Sequence, residues 1–295
     1  MPELPEVQTI VDDLNKKIIG CKITKVWFDV PKLIKKPNPK DFEKQIKDLK
    51  ISIVKRRGKN ILIYLKLPKE KKPSKLLLIH QKMTGHLLIG KWNVQNEVKS
   101  LIEGELSEKV NNYIHLILYL DNGQQIALSD LRKFAKILFG TKEEIESLPD
   151  LMQIGPEPLE RKFMFSDFVN LMSLQKRKIK QVLMDFKVIS GIGNIYSDEI
   201  LYQAKIHPFK PANKLTEKEL NEVFLAIKNI LGKAVRMRGT SISDFRGTDG
   251  KPGNYARALL VYQKEDKPCK RCQTLIKRVK VGGRSAHYCP KCQKL

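Results

Sequence analysis

The sequence predicts a two-lobed α+β protein: a helix with a β-rich N-terminal half, then a helical C-terminal half that ends in a small cysteine-rich module. Three observations carry this. The apolar period is helical over the first twenty residues, becomes strand-like from about residue 22 to 139, and returns to helical spacing after residue 159. A stretch punctuated by Pro149, Gly155, Pro156 and Pro158 separates the halves. Four cysteines near the end stand as C-x2-C-x16-C-x2-C. At 295 residues the chain has the length of roughly two domains, and the expected boundaries are 1–140, a linker over 141–158, 159–263 and 264–295.

Val7, Ile10, Val11, Leu14 and Ile18 recur at helical spacing and Gly20 stops the run, so a short tail and an amphipathic helix open the chain. Strands are predicted at Ile23 to Val30, Ile51 to Lys55, Ile61 to Leu67, Leu76 to His80, Ile114 to Leu120 and Gln124 to Leu128. The last two are joined by the turn signal Asp121-Asn122-Gly123. The polar stretch from Trp92 to Asn112 reads as a surface excursion. Helices follow at Ser166 to Leu174, Lys178 to Phe186, Ile195 to Ala204 and Thr216 to Arg236. The last opens on the capping box Thr216-x-x-Glu219 and gathers Leu220, Val223, Phe224, Ile227, Leu231 and Val235 on one face.

Cys269, Cys272, Cys289 and Cys292 have zinc-ribbon spacing: each C-x-x-C knuckle points two thiolates at one tetrahedral ion, and the intervening residues form a hairpin. The alternative is two disulfides, which a reducing cytosol disfavours. Cys21 has no partner nearby and reads as a small buried hydrophobe. With 56 Lys and Arg against 32 Asp and Glu the net charge is +24. That surplus suits a polyanion, because each phosphate neutralised releases a counterion; a solvated lysine-rich surface is the plainer reading. From Cys269 to Leu295 there are eight basic residues and no acidic one. Apolar stretches such as Ile61 to Leu67 are far too short to span a membrane, and the acidic start MPELPEVQTI has no signal-peptide pattern. A cytoplasmic protein, associated with the nucleoid through DNA, is expected.

Pro2 carries chemistry if Met1 is removed, because the chain then begins with a secondary amine able to attack an electrophilic sugar carbon. Unperturbed, such an α-amine titrates at about 7.7–8.0 and is partly neutral near physiological pH. Glu3 and Glu6 lie within a turn of it and suit proton transfer. Equally, a proline at a helix start followed by acidic residues is ordinary capping.

Four features in order, Pro2-Glu3-Leu4-Pro5-Glu6-Val7, Arg56-Arg57-Gly58-Lys59, the run from Gly191 through Asn194 to Glu199, and the closing cysteines, closely resemble formamidopyrimidine-DNA glycosylase over nearly the whole chain. The resemblance implies an N-terminal β-sandwich, a helix–two-turn–helix domain with a zinc ribbon, one structural Zn2+, and DNA in a basic cleft. It implies a monomeric base-excision repair enzyme that removes 8-oxoguanine and formamidopyrimidines from duplex DNA and cleaves the abasic strand by β,δ-elimination. Pro2 would be the Schiff-base nucleophile, Glu3 the general acid, and Glu6 a positioning group. Lys59 would bind phosphate and assist β-elimination, and Arg284 would grip phosphates and assist δ-elimination. Met83, Arg132 and Phe134 match the residues that fill the gap left by an extruded base; read alone, Met83 and Phe134 would be core. His80, Tyr113, Lys176, Lys180 and Asn194 fall at DNA-contacting positions, and 239–255 matches a lesion-capping loop.

The sequence departs from the family pattern where Gln81-Lys82 precede Met83, at Leu131, at Ala135 and at Tyr113, where glycine, proline, glycine and histidine are usual. Two rivals stay open: an endonuclease VIII-like glycosylase for oxidised pyrimidines, and a noncatalytic DNA-binding protein that keeps the fold. A zinc-ribbon adaptor without lesion preference is a third.

Overall fold

Apolar residues 7, 10, 11 and 14 wind into α1 (Leu4–Lys17), whose buried stripe lies against the core of the first of two compact units. The structure, a computed structural model, describes residues 1–95 and 97–295. The first unit comprises Met1–Met152 and Met237–Ala256, the second Gln153–Arg236 and Arg257–Leu295.

After α1 the first unit runs β1 (Ile23–Phe28), β2 (Ile34–Lys36), α2 (Pro39–Ile46), β3 (Lys50–Arg57), β4 (Asn60–Lys66), β5 (Lys75–His80) and β6 (His86–Gly90). It continues with the two-residue strands β7 (Trp92–Asn93) and β8 (Lys99–Ser100), then β9 (Ile114–Leu120), β10 (Gln125–Ser129), β11 (Lys136–Thr141), α3 (Lys142–Glu146) and α4 (Pro149–Met152). A four-stranded sheet ordered β1-β9-β10-β6 faces a five-stranded sheet ordered β2-β11-β5-β4-β3. Alternate residues build the core between them: Leu116, Leu118, Ile126 and Leu128 from one sheet, Ile61, Ile63, Leu77 and Ile79 from the other. This is the β-sandwich that the resemblance implies.

The structure differs from the sequence reading in identifiable places. A second helix, α2, begins at Asn38, whose side chain accepts a hydrogen bond from the Asp41 N–H; its apolar stripe is only Phe42 and Ile46, too short to register as a period. Every residue of β6 is buried, so it shows no alternation. Trp92 and Leu106 pack in one cluster with Leu88, Ile114, Ile117 and Ala127 of the four-stranded sheet. The stretch 92–112 is therefore in part a packed flap rather than a mere surface excursion. Residues 141–158, expected as a linker, begin with α3 and α4. Thr141 caps α3 by accepting from Glu144 N–H, and the Tyr64 hydroxyl donates to Glu146 at 2.9 Å, which ties these helices to the first unit. Residues 237–256, expected within the helical domain, pack in the first unit as well.

That return is anchored on α1. Arg238 donates two hydrogen bonds to the Asp13 carboxylate at 3.0 and 2.7 Å, and Thr248 donates a third at 2.9 Å. Burial by itself would raise the Asp13 carboxyl, but these bonds and the Arg238 charge outweigh it and hold the pKa below its usual value.

The second unit contains α5 (Phe165–Ser173), α6 (Ile179–Leu183), α7 (Asn194–Ala204), α8 (Glu217–Arg236), β12 (Lys277–Val281) and β13 (Arg284–Tyr288). The predicted capping box forms: Glu219 N–H donates to Thr216 Oγ1, and Thr216 N–H donates to the Glu219 carboxylate. The run expected from Lys178 to Phe186 is helical only over five residues. Between β12 and β13, Val281 pairs with Arg284 across Gly282 and Gly283, whose φ values of 55° and 76° both require the left-handed region of a tight hairpin turn.

Candidate active site

Glu6 ties the chain start into the first unit. Its Oε2 accepts from the Glu3 N–H at 2.8 Å and its Oε1 accepts from the Thr240 N–H at 2.7 Å, with both carboxylates buried. The capping reading of this segment and a chemical one therefore coexist in one side chain. Pro2 is buried beside them. Burial lowers the pKa of the Met1 amine, the terminal amine while Met1 is in place; Glu3 and Glu6 oppose this, Lys59 adds to it, and Asp244 opposes it. The terminal amine thus shares one electrostatic neighbourhood with Glu3, Glu6 and Lys59. Asp244 is a fifth member that sequence reasoning missed, since it lies far away in the chain.

Lys59 reaches that neighbourhood through a two-residue turn. Arg57 pairs with Asn60 across Gly58 and Lys59, and Gly58 takes φ 57°. Arg56 braces the turn: its Nη1 donates to the Gly58 carbonyl and its Nε to Gln8 on α1, both at 2.9 Å. Asn15 closes the same seam, donating to the Val54 carbonyl and accepting from the Val54 N–H. These polar clips orient α1 against the β3 edge and so fix Lys59 relative to the chain start.

Met83 and Phe134 are exposed, 41% and 52%, although read in isolation they would be core residues. They line a groove of about 460 Å3 with Met1, Lys32, Lys35, Lys82, Lys133 and Ala135. The Arg132 guanidinium lies 4.7 Å from the Phe134 ring centroid, which holds both side chains as one plate. Lys82 and Lys133 sit at φ 57° and 56°. At Lys82 the backbone keeps a glycine-like conformation where the family pattern shows glycine. His80, half-buried at the end of β5, accepts the Lys82 N–H on Nδ1 at 3.0 Å. Burial, then the charges of Lys82 and Lys59, push its pKa down to about 4, so it is neutral at physiological pH. Tyr113, partly buried, lines a separate cavity of about 280 Å3 with Thr84, Lys109, Val110, Leu131 and Asp244.

The other expected site residues belong to the second unit. Asn194 begins α7, partly buried, and its Oδ1 has no hydrogen-bond partner among the described residues. Lys176 is exposed, and so is Arg284 at the hairpin turn. Lys180 is placed differently from a free phosphate-binding cation: it is 1% exposed, and its ammonium donates to Asp198 at 2.5 Å and to Ser197 at 3.1 Å. Asp198 also accepts the His287 backbone and ring N–H groups at 2.9 Å. Glu199 accepts the backbone N–H groups of Leu260, Val261 and Tyr262. The acidic end of the Gly191-to-Glu199 run thus fastens the ribbon and the segment preceding it to α7.

The sulfurs of Cys269, Cys272, Cys289 and Cys292 lie within 4.8 Å of one another, with separations of 3.4, 3.5 and 3.9 Å. Zn–S bonds of about 2.3 Å make a tetrahedron whose edge is about 3.8 Å, so the four fit one Zn2+. Four thiolates leave no open position, and the ion is structural. The Tyr202 hydroxyl of α7 lies 3.2 Å from Cys269 Sγ, a hydrogen bond from outside the ligand set that fixes this sulfur.

Comparison with known proteins agrees along the whole chain. Residues 1–137 match the formamidopyrimidine-DNA glycosylase N-terminal domain, 154–246 the formamidopyrimidine-DNA glycosylase H2TH domain, and 266–295 the zinc finger found in FPG and IleRS. The formamidopyrimidine-DNA glycosylase of Pelotomaculum thermopropionicum is 37% identical over 295 residues, with all of both chains covered. That of Listeria innocua is 34% identical over 294 residues, again covering both in full. The Lactococcus lactis Fpg in complex with DNA containing an abasic site superposes with a TM-score of 0.85 at 30% identity, covering 99% of this chain and 100% of that one. The MutM (Fpg) protein of Thermus thermophilus gives 0.82 at 30% identity, covering 99% and 98%.

Proposed function

The chain belongs to the formamidopyrimidine-DNA glycosylase family, and from that premise we propose that it excises 8-oxoguanine and formamidopyrimidines from duplex DNA through Pro2 and then cleaves the strand. That it is a repair glycosylase acting on damaged DNA follows from the family; the substrates and the lyase steps are our reading. The observation that carries it is the groove in which the chain start, Met83 and Phe134 meet four lysines. Side chains suited to filling an emptied base stack and cations for the phosphates share one surface with Met1, next in sequence to the buried Pro2 that would be the nucleophile. No helix among the described residues is long and apolar enough to cross a membrane.

Removal of Met1 frees the Pro2 nitrogen as a secondary amine. It attacks C1′ of the damaged nucleotide; the C1′–N bond breaks, its electron pair leaves with the base, and the base takes up a proton. The amine loses its own proton, its lone pair then expels the ring oxygen from C1′ as Glu3 protonates that oxygen, and an iminium remains. Loss of a C2′ proton expels the 3′-phosphate, and loss of a C4′ proton from the conjugated product then expels the 5′-phosphate. Water then hydrolyses the imine and restores the amine. Glu6 holds the chain start through Glu3 N–H and Thr240 N–H. Lys59 and Arg284 neutralise phosphate charge as the leaving groups depart.

Intact-mass analysis combined with borohydride trapping on a duplex carrying 8-oxoguanine opposite cytosine tests this. A chain lacking Met1 should form a covalent adduct, and Pro2→Gly with a blocked N-terminus should form none. A correctly processed chain that binds the duplex and never traps would overturn the enzymatic reading. Preferential excision of oxidised pyrimidines across a lesion panel would overturn the substrate assignment.

A further inference from the structure

Two loops carry the side chains proposed above to enter the base stack: 81–85, which ends β5 and bears Met83, and 130–135, which follows β10 and bears Arg132 and Phe134. Their tips are exposed, but their bases meet through two buried polar side chains. Asp130 is 0% exposed and Thr84 8%. Thr84 donates its hydroxyl to Asp130 Oδ1 at 2.5 Å and accepts the Arg132 N–H at 3.1 Å. Asp130 Oδ2 accepts the N–H groups of Phe134 and Ala135, both at 2.7 Å. The Asp130 N–H donates to the Tyr113 carbonyl at 2.8 Å, and the Asp130 carbonyl accepts from Lys133 N–H at 3.0 Å. No cation pairs with the Asp130 carboxylate among the described residues; its donors there are a hydroxyl and two backbone amides.

We propose that Thr84 and Asp130 are positioning residues that lock Met83, Arg132 and Phe134 into a single preformed wedge. The inference rests on the glycosylase reading and deepens it. Either loop alone is short and left-handed at one residue, Lys82 or Lys133, so its tip has little packing of its own. Asp130 organises the second loop from inside, as an acceptor for its returning amides. Among the described residues Thr84 is the one side chain that bonds to both the carboxylate and the Arg132 amide, and it belongs to the other loop. A wedge entering a duplex must keep its parts in register while pushing against stacked bases. Joining the loops beneath their tips supplies that stiffness without placing either residue at the DNA surface.

The chemistry at Pro2 does not need this lock; extrusion of a stacked base does. Thr84→Val keeps shape and removes the hydroxyl, and Thr84→Ser restores it. With 8-oxoguanine duplex bearing 2-aminopurine beside the lesion, T84V should slow both the fluorescence change of base extrusion and single-turnover excision about tenfold. Borohydride trapping on a single-stranded abasic oligonucleotide, which has no stack to open, should stay within twofold of wild type, and T84S should recover the duplex rate. Unchanged duplex excision in T84V, or an equal fall in both assays, overturns the proposal.

A second measurement avoids buried substitutions. Met83→Ala and Phe134→Ala change only exposed tips, and their effects on extrusion should be strongly non-additive when combined, because one rigid wedge is lost once. Additive effects overturn the lock. A wild-type protein that neither excises nor traps would instead overturn the glycosylase reading, a result visible before any variant is made.

Discussion

Lys180 and Asp198 form a buried ion pair, 2.5 Å from ammonium to carboxylate, each side chain 1% exposed. The same carboxylate holds His287 of β13 by two hydrogen bonds, so one acidic side chain joins α6, α7 and the zinc ribbon. A basic residue that the sequence offers as a DNA contact is, in the fold, part of an interior network.

Lys180→Met should therefore cost stability more than DNA contact. Removing one partner of a buried pair leaves a charge unmatched, at about 3–5 kcal/mol. Denaturant melts should show that loss, while the slope of log affinity against log salt stays at its wild-type value. A slope reduced by about one with stability intact would instead mark a phosphate contact.

Gly239→Ala should weaken the chain start without touching it in sequence. Gly239 sits at φ 75°, and an added Cβ would lie 2.7 Å from Glu6 Oε1 and 3.2 Å from Glu6 Cα. The strain is about 1–3 kcal/mol, and it displaces the carboxylate that holds Glu3. We expect the single-turnover rate to fall at least tenfold with duplex affinity within threefold, measured by quenched excision and by fluorescence anisotropy.

Stability should fall as pH drops from about 6.5 towards 4. The folded state keeps His80 neutral down to about 4, whereas the unfolded chain takes up a proton near 6.5. The contribution is complete above the unfolded value and is lost through the folded one, and for this half-buried ring it amounts to roughly 2 kcal/mol. His86, buried and also lowered, chiefly by burial, adds in the same direction. His80→Gln should flatten part of this slope in chemical melts at a series of pH values, and the remainder should persist.

Zinc removal should loosen more than the ribbon. Purified protein should carry one Zn2+ per chain by elemental analysis. Cys272→Ser, or strong chelation, should expose the buried set of Tyr202, Val261 and Ile276 that packs with the cysteines. Because Asp198, Glu199 and Tyr202 link α7 to this region, hydrogen exchange in α7 should accelerate together with that of β12 and β13.

What the sequence revealed follows from how far apart the cooperating residues lie. The four cysteines carry their geometry in their spacing, so the metal site was readable; Pro2, Glu3 and Glu6 are nearly contiguous, but read alone they are ordinary helix capping, and their chemical role comes from the family resemblance. Lys59, one of 56 basic residues, was singled out by the family resemblance, and the structure adds that Gly58 forms its turn. Asp244, the Arg56–Gln8 clip and the Thr84–Asp130 hydrogen bond were not readable, since each brings together residues 46 or more positions apart with no periodicity to announce it. The burial of Lys180 was hidden for a different reason: α6 has only five residues, too few to define an apolar face. Met83 and Phe134 show the converse. Composition sends them inward, the family resemblance assigns them to an emptied base stack, and the fold shows them facing solvent.

The first unit is discontinuous in sequence, and this has a consequence for how the protein comes into being. When residue 152 leaves the ribosome, Asp13 and Glu6 are already made, but Arg238, Thr240 and Thr248, which satisfy them, are not. At about 5–20 residues per second the missing segment follows on the order of 5–20 s later. During that interval Asp13 lacks its three hydrogen-bond donors and Glu6 lacks one of its two backbone donors, although the clips between α1 and β3 can already form. The packing around the chain start is therefore completed only after most of the protein has been made.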